Sequence, residues 1–174
     1  MKKSIDFRLG IAVGILSLSA LSALSQTQEI RVFSHRGGRM EHDENTMEAF
    51  VASHKAGYTG YETDIRMTKD GELIVTHDSK LDRTTNGSGA VEEKTLAELR
   101  KLNTKKGNKM ITLDELMDFL KGKPGLYVEF EMKTNPESLY PEESLPEYVD
   151  KLYKKVMSNK PSDAEFPFTS SDTR

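Results

Sequence analysis

Apolar positions change their spacing along the chain, and each change marks an element. Residues 9–24, from Leu9 to Leu24, are mostly apolar or small. They follow the basic Lys2, Lys3 and Arg8 and end in Ala23-Leu24-Ser25, which puts small residues at the −3 and −1 positions of a cut before Gln26. This predicts a signal peptide over residues 1–25 and an exported chain, periplasmic or secreted, that starts at Gln26. Ser17, Ser19 and Ser22 dilute the run, and a membrane span needs about 20 apolar residues, so no span is expected after cleavage. Beyond it, residues 30–34 predict a short strand ending at His35. Asn45 with Glu48 three residues on predicts a helix N-cap, with the helix running to about Ala56 and stopping at Gly57. Residues 61–67 predict a strand, Lys69-Asp70-Gly71 a turn, and Glu72 to Thr76 the returning strand of a hairpin. Short helices are predicted near 95–102 and 112–120, each opened by a Thr, and a strand over 126–132. The segment 134–144 reads as irregular. Leu145, Tyr148, Val149, Leu152, Tyr153 and Val156 recur by threes and fours, which predicts a helix over 145–158. Ser144 and Glu147 are its expected capping box, and Lys151, Lys154 and Lys155 favour its C-terminal end. Phe166 to Ser171 open a further strand.

Strands that alternate with helices predict an α/β fold, a parallel sheet with crossover helices. Functional side chains are then expected at the C-terminal ends of the strands. The net charge of the chain is −3. Removing the signal takes away three bases and one acid, which leaves a more acidic remainder. A whole-domain electrostatic grip on nucleic acid or anionic lipid is thereby excluded, although a local basic pocket is not. There is no cysteine, so disulfides, thiolate metal sites, a cysteine nucleophile and a lipid-modified cysteine are excluded as well.

Four charged clusters fall at predicted strand ends. His35 and Arg36 close the first strand. Glu62 and Asp64, two apart on the second, share one face because side chains alternate along a strand. His77-Asp78 ends the return of the hairpin, and Glu129, Glu131 and Lys133 line one face of the next strand. Singly, each pattern is commonplace: a Glu-x-Asp pair is usually a solvated edge, and a Glu-x-Glu-x-Lys run a surface ladder. Together at matching strand ends, on a face where unpaired charge is costly, the carboxylates suit Mg²⁺ or Ca²⁺ rather than Zn²⁺. Two histidines can supply an acid and a base. Arg36 and Lys133 can hold an anion such as phosphate. His42 reads as a polar-loop residue, and His54, four after Phe50, as one that packs or hydrogen-bonds on its helix.

In order and spacing, residues 31 to 133 resemble the glycerophosphodiester phosphodiesterase family. The resemblance rests on His35-Arg36-Gly37, Glu44-Asn45-Thr46 with Ala49-Phe50, Gly57 before Glu62-x-Asp64, and Thr68-Lys69-Asp70-Gly71. It continues through His77-Asp78, Leu81-x-Arg83-Thr84-Thr85, Gly89-x-Val91, Leu113-x-Glu115-Leu116 and Glu131-x-Lys133. Thr169-Ser170-Ser171-Asp172 is similar to the start of the family's next strand, with Ser171 in place of Phe. The resemblance implies a TIM-barrel (β/α)8 phosphodiesterase that splits glycerophosphodiesters, small-molecule substrates, into glycerol 3-phosphate and an alcohol. By matching position it implies Glu62, Asp64 and Glu131 as ligands of a divalent cation, His35 and His77 as the acid/base pair, Arg36 and Lys133 on the phosphate, and Glu44 and Asn45 lining the site. Glu129 competes with Glu131 for the ligand role, and the Glu-x-Lys pattern favours Glu131. Such barrels run to about 250 residues. The chain is therefore expected to hold a partial domain over 26–174, truncated after about four strand units, that pairs with a missing C-terminal half or with itself. Two competing expectations are an inactive remnant that binds metal or phosphate and a relative of the phosphatidylinositol-type phospholipases C. The Glu-x-Asp and Glu-x-Lys pairs favour the glycerophosphodiesterase over the latter.

Overall fold

A computed structural model describes residues 31–174, so the expected signal peptide and the first residue of the first predicted strand lie outside the described residues. The elements are β1 (Ser34–His35), α1 (Met47–Lys55), β2 (Gly60–Met67), β3 (Leu73–Val75), α2 (Leu96–Leu99), α3 (Leu113–Leu120), β4 (Tyr127–Met132), α4 (Leu145–Ser158) and β5 (Phe168–Thr169). Strands β1, β2, β4 and β5 are neighbours in that order and all parallel. The antiparallel β3 pairs with β2 over Ile65–Met67, beyond the reach of β1. This is the strand–helix alternation of a (β/α)8 barrel, with the sheet open among the described residues.

The period-two pattern of β2 and β4 divides the molecule. Tyr61, Ile65, Val128 and Phe130 are fully buried. They share one core with Phe50 of α1, Leu113, Leu116 and Leu120 of α3, and Tyr148, Leu152 and Val156 of α4. Glu62, Asp64, Glu129 and Glu131 alternate with them and therefore take the other face. A smaller core of Ile74, Leu81, Val91, Leu99 and Met110 supports the long excursion between β3 and α3. Register aligns the charged positions across the strands: His35 with Glu62, Glu62 with Glu129, Asp64 with Glu131.

Local signals set the helix ends, with two exceptions. Thr95 and Thr112 each form a complete capping box with the Glu three residues on, and Gly57 follows α1 with a φ of 92°. The cap of α1, however, is Thr46, whose hydroxyl accepts from the Ala49 amide; Asn45 lies one residue outside. The capping box predicted for α4 is also absent. Ser144 ends a 3-10 turn in right-handed helical geometry and donates its hydroxyl to the Pro141 carbonyl, so that hydroxyl does not cap the helix. Along α4, Val149 and Tyr153 are largely exposed, although they fit the helical spacing.

Two outcomes follow for stability and association. Thr112→Ala should cost about 1 kcal/mol in equilibrium urea unfolding, the usual worth of an N-cap, whereas Ser144→Ala should stay within about 0.5 kcal/mol; similar losses for both would contradict the cap assignment. The sheet has unpaired outer edges at β1 and β5 among the described residues. Val32 and Phe33 are exposed beside one, Tyr153 and Phe168 beside the other. Open edges and apolar patches promote association, so the chain alone should self-associate or bind a hydrophobic dye. A dye-silent monomer in sedimentation would refute this.

Candidate active site

The charged face of the sheet gathers the predicted residues at one end. The loop after β1 turns sharply. Arg36 and Asn45, at φ 54° and 58°, are the two non-glycine residues in left-handed geometry among the described residues. Side chains adopt that geometry at a cost. The turn is held by bonds that need it: the Asn45 amide donates to the Arg36 carbonyl at 2.8 Å, and the Arg36 amide to Glu62 Oε2 at 2.9 Å. Gly37 follows at φ 75°, where an added Cβ would press on Ala49 and Phe50 at 3.2 Å.

Asp64 has no solvent exposure, and three side chains meet its carboxylate. Asn45 Nδ2 donates to Oδ2 at 2.8 Å. Arg36 Nε lies 3.4 Å from Oδ2, and Lys133 Nζ 3.1 Å from Oδ1. Lys133 also pairs with Glu131 at 2.6 Å. The Asn45 amide is oriented by both its partners, because Thr63 Oγ1 donates to its Oδ1 at 3.2 Å. Glu62 is buried, and its Oε1 has no hydrogen-bond partner. Burial, then the adjacent Asp64 charge, pushes the Glu62 carboxyl up to about 7.

Glu62, Asp64 and Glu131 each bring an oxygen within 4.8 Å of the others. Oxygen-only donors, surplus negative charge and an unpartnered buried carboxylate oxygen fit a hard divalent cation. Glu129 lies on the same face but outside this group, and accepts from Thr169 Oγ1 at 3.1 Å. The geometry thus brings Glu131, not Glu129, to the other two carboxylates.

His35 Nε2 is 3.5 Å from Glu62 Oε2. Burial, then the Arg36 and Arg39 charges, holds its imidazole below the ordinary histidine range. His77 Nδ1 is 2.7 Å from Asp78 Oδ1. The backbone of His77 is held as well, because Arg66 Nε donates to its carbonyl at 2.9 Å. Glu44 lies between two guanidiniums, Arg36 at 3.0 Å and Arg83 at 2.7 Å. Burial pushes the Glu44 carboxyl up, but Arg83 and Arg36 outweigh it and leave it below the usual range. Arg83 also holds Asp78, whose carboxyl it lowers to about 2. His54 lies apart, its Nδ1 3.1 Å from the Tyr61 hydroxyl and its ring edge-on to Phe119. His42 lines a recess of the first loop with Asp43, Glu44 and Arg83.

Asp78, Arg83, Thr63 and Arg66 complete this arrangement without having been singled out as site residues from the sequence. Asp78 and Arg83 had a signal, since both sit in the motifs His77-Asp78 and Leu81-x-Arg83-Thr84-Thr85. Thr63 and Arg66 had none, because they act through tertiary hydrogen bonds from ordinary strand positions.

Residues 35–164 match the model of the glycerophosphoryl diester phosphodiesterase family. A glycerophosphodiester phosphodiesterase of Caldanaerobacter subterraneus subsp. tengcongensis is 40% identical over 110 residues, 59% of this chain and 45% of that protein. One from Bacillus subtilis is 33% identical over 148 residues, 76% of this chain and 49% of that protein. The chain thus spans about half the length of these curated relatives. Among solved structures, a phosphodiesterase from Oleispira antarctica in complex with the product sn-glycerol-3-phosphate superposes with a TM-score of 0.72 at 25% identity, covering 84% of this chain and 60% of that one. On these matches, and on a fold that agrees with them, the chain belongs to the glycerophosphoryl diester phosphodiesterase family.

Proposed function

We propose that this chain carries the substrate site of a metal-dependent glycerophosphodiesterase, which hydrolyses a glycerophosphodiester to glycerol 3-phosphate and an alcohol. The observation that carries the reading is the convergence of Glu62, Asp64 and Glu131 within 4.8 Å of one another, with His35, Arg36 and Lys133 against them. The product complex of the Oleispira relative supports the substrate class.

Glu62, Asp64 and Glu131 would hold a divalent cation, Mg²⁺ or Ca²⁺. Such an ion, when bound, polarises a phosphoryl oxygen and lowers the pKa of a coordinated hydroxyl. The remaining steps belong to side chains. Arg36 and Lys133 bind the phosphodiester oxygens, and Glu44 and Asn45 fix Arg36 and Asp64 while doing so. A glycerol hydroxyl of the substrate forms a bond to phosphorus and gives up its proton to one histidine, while the bond from phosphorus to the leaving alcohol oxygen breaks and that oxygen takes a proton from the other; water then opens the resulting cyclic phosphate, with the two histidines in exchanged roles, to give glycerol 3-phosphate. Asp78 at His77 Nδ1 stabilises the imidazolium that accepting a proton creates. This supports His77 as the base; His35 then takes the acid role as an imidazolium that burial and the Arg36 and Arg39 charges make readier to give up its proton.

His35→Ala and His77→Ala should each lower kcat by roughly 10²–10⁴-fold, and His42→Ala and His54→Ala should leave activity near wild type. Asp64→Asn should raise the cation concentration needed for activity. A nitrophenyl ester has a leaving group that needs no acid, so His35→Ala should be largely rescued on it and His77→Ala should not. Equal losses on that substrate would sink the division into one acid and one base.

A pH dependence follows from Glu62. Its folded pKa, about 7, is raised above the ordinary 4.5. The folded chain therefore holds this proton more tightly than the unfolded one, and stability without metal falls as pH rises from about 4.5 to about 7. Cation binding requires the carboxylate form. Added Mg²⁺ or Ca²⁺ should thus raise the melting temperature more at about pH 8 than at about pH 5.5. An equal shift at both would argue against Glu62 as a ligand.

A further inference from the structure

We propose that Arg83 is a positioning residue of this site: by gripping Asp78 and Glu44 at once, it fixes the ring of His77 on one side and the guanidinium of Arg36 on the other. The proposal rests on the reading of His77 and Arg36 as substrate-handling groups. Its geometry is a continuous path. His77 Nδ1 lies 2.7 Å from Asp78 Oδ1, and Arg83 Nη2 donates to that same oxygen at 3.0 Å. Nη2 donates also to Glu44 Oε1 at 2.7 Å, and Arg36 Nη1 donates to that oxygen at 3.0 Å. Arg83 Nε to Asp78 Oδ2, at 2.5 Å, and Nη1 to Glu44 Oε2, at 2.9 Å, close both carboxylates into two-point grips.

Surface ion pairs are usually of small consequence, and the Arg83 side chain is itself half exposed. The carboxylates it holds are not: the Glu44 side chain keeps 13% of its accessibility and that of Asp78 25%. One end of the link lies in the loop between β1 and α1, the other just past β3. No backbone bond connects Glu44 with Asp78, so the two walls of the site are joined here by a side chain. The planar guanidinium has donors enough for two carboxylates in fixed directions, and an ammonium does not.

The consequence falls on the imidazole. A carboxylate oxygen at Nδ1 requires the proton of neutral His77 to sit there, which leaves Nε2 free to accept one. Without Arg83, Asp78 is free to turn toward water, and neither tautomer of His77 is imposed. Arg83 itself touches no reacting atom.

The test reads the tautomer directly. In ¹⁵N-resolved spectra of the full chain, at a pH where the ring is neutral, His77 should carry its proton on Nδ1 alone. Arg83→Met should give a mixture of both tautomers. Arg83→Lys should do the same, since charge is kept but the double grip is lost. On a glycerophosphodiester both variants should lower kcat roughly 10–100-fold, the usual cost of removing a partner that orients a site residue. A pure Nδ1 tautomer in Arg83→Met overturns the proposal. Should that variant not fold, Asp78→Asn probes the same link: its amide can donate to Nδ1, so the proton should move to Nε2, and an unchanged tautomer there overturns the proposal too. A chain that shows the predicted tautomers yet hydrolyses no glycerophosphodiester refutes the activity and supports the role of Arg83.

Discussion

The carboxylate of Asp64 is sealed from water, and the site is arranged around that charge. An isolated buried carboxylate is very costly, so it must be paired and hydrogen-bonded or give up its charge. Here it is met from three directions, by Asn45, Arg36 and Lys133. Each comes from a different place in the chain: the loop before α1, the end of β1 and the residue after β4. Neutralising one carboxylate therefore fixes three connections, and with them the two left-handed residues of the first loop, although Asp64 Oδ1 itself accepts no hydrogen bond. Asn45 takes that geometry with little penalty, as short polar side chains do. Arg36 does not have that excuse, and its conformation persists because its amide serves Glu62 and its guanidinium serves Glu44 and Asp64 together.

The same strand shows how stability and chemistry are kept apart. On β2, Tyr61 and Ile65 face the helices, and Glu62 and Asp64 face the other way. Arg66, next on the charged face, is paired with Glu92 at 2.7 Å, and Tyr140 donates to that Glu92 carboxylate. This second buried pair lies beside the carboxylate cluster, and its only direct contribution to the site is the bond from Arg66 to the His77 carbonyl. At one end of the face the carboxylate is matched by a guanidinium, although Glu92 Oε2 keeps no hydrogen-bond partner. At the other end negative charge is in surplus, and Glu62 Oε1 and Asp64 Oδ1 have no hydrogen-bond partner. The surplus is what a cation site requires, and it is carried by a framework whose apolar side needs no such compensation.

Much of this was legible in the sequence, for reasons that differ by element. The α3 span was readable because Thr112 marks its start, and the α4 span because its apolar residues recur by threes and fours. The shared face of Glu62 and Asp64, and that of Glu129, Glu131 and Lys133, were readable because strand alternation is rigid geometry; that Glu131 joins the first pair came from the family resemblance. Ser144 misled because a Ser-x-x-Glu pattern specifies a cap only when the serine backbone is extended, and the 3-10 turn before α4 sets it otherwise. Asn45 misled for the opposite reason. Its side chain had a better partner in Asp64, seen only once β2 and the first loop are together, so the adjacent Thr46 took the cap. Val149 and Tyr153 fit the helical stripe of α4 but lie outside the face that α4 buries.

The least legible feature was the coupling between the loops. His77 and Asp78 are sequence neighbours, and in a regular strand their side chains would point to opposite faces. The bend at His77 brings the ring back onto the carboxylate. A carboxylate so placed would still be free to rotate, and Glu44 across the site would repel it. One guanidinium removes both problems, because it neutralises the two anions and dictates the direction each must face. The anions in turn direct the cation and the imidazole that a phosphodiester would meet. Orientation at the reacting end is thus set by charges two bonds removed from it, so Arg83 could be seen in its motif while the two carboxylates that it joins could not be foreseen.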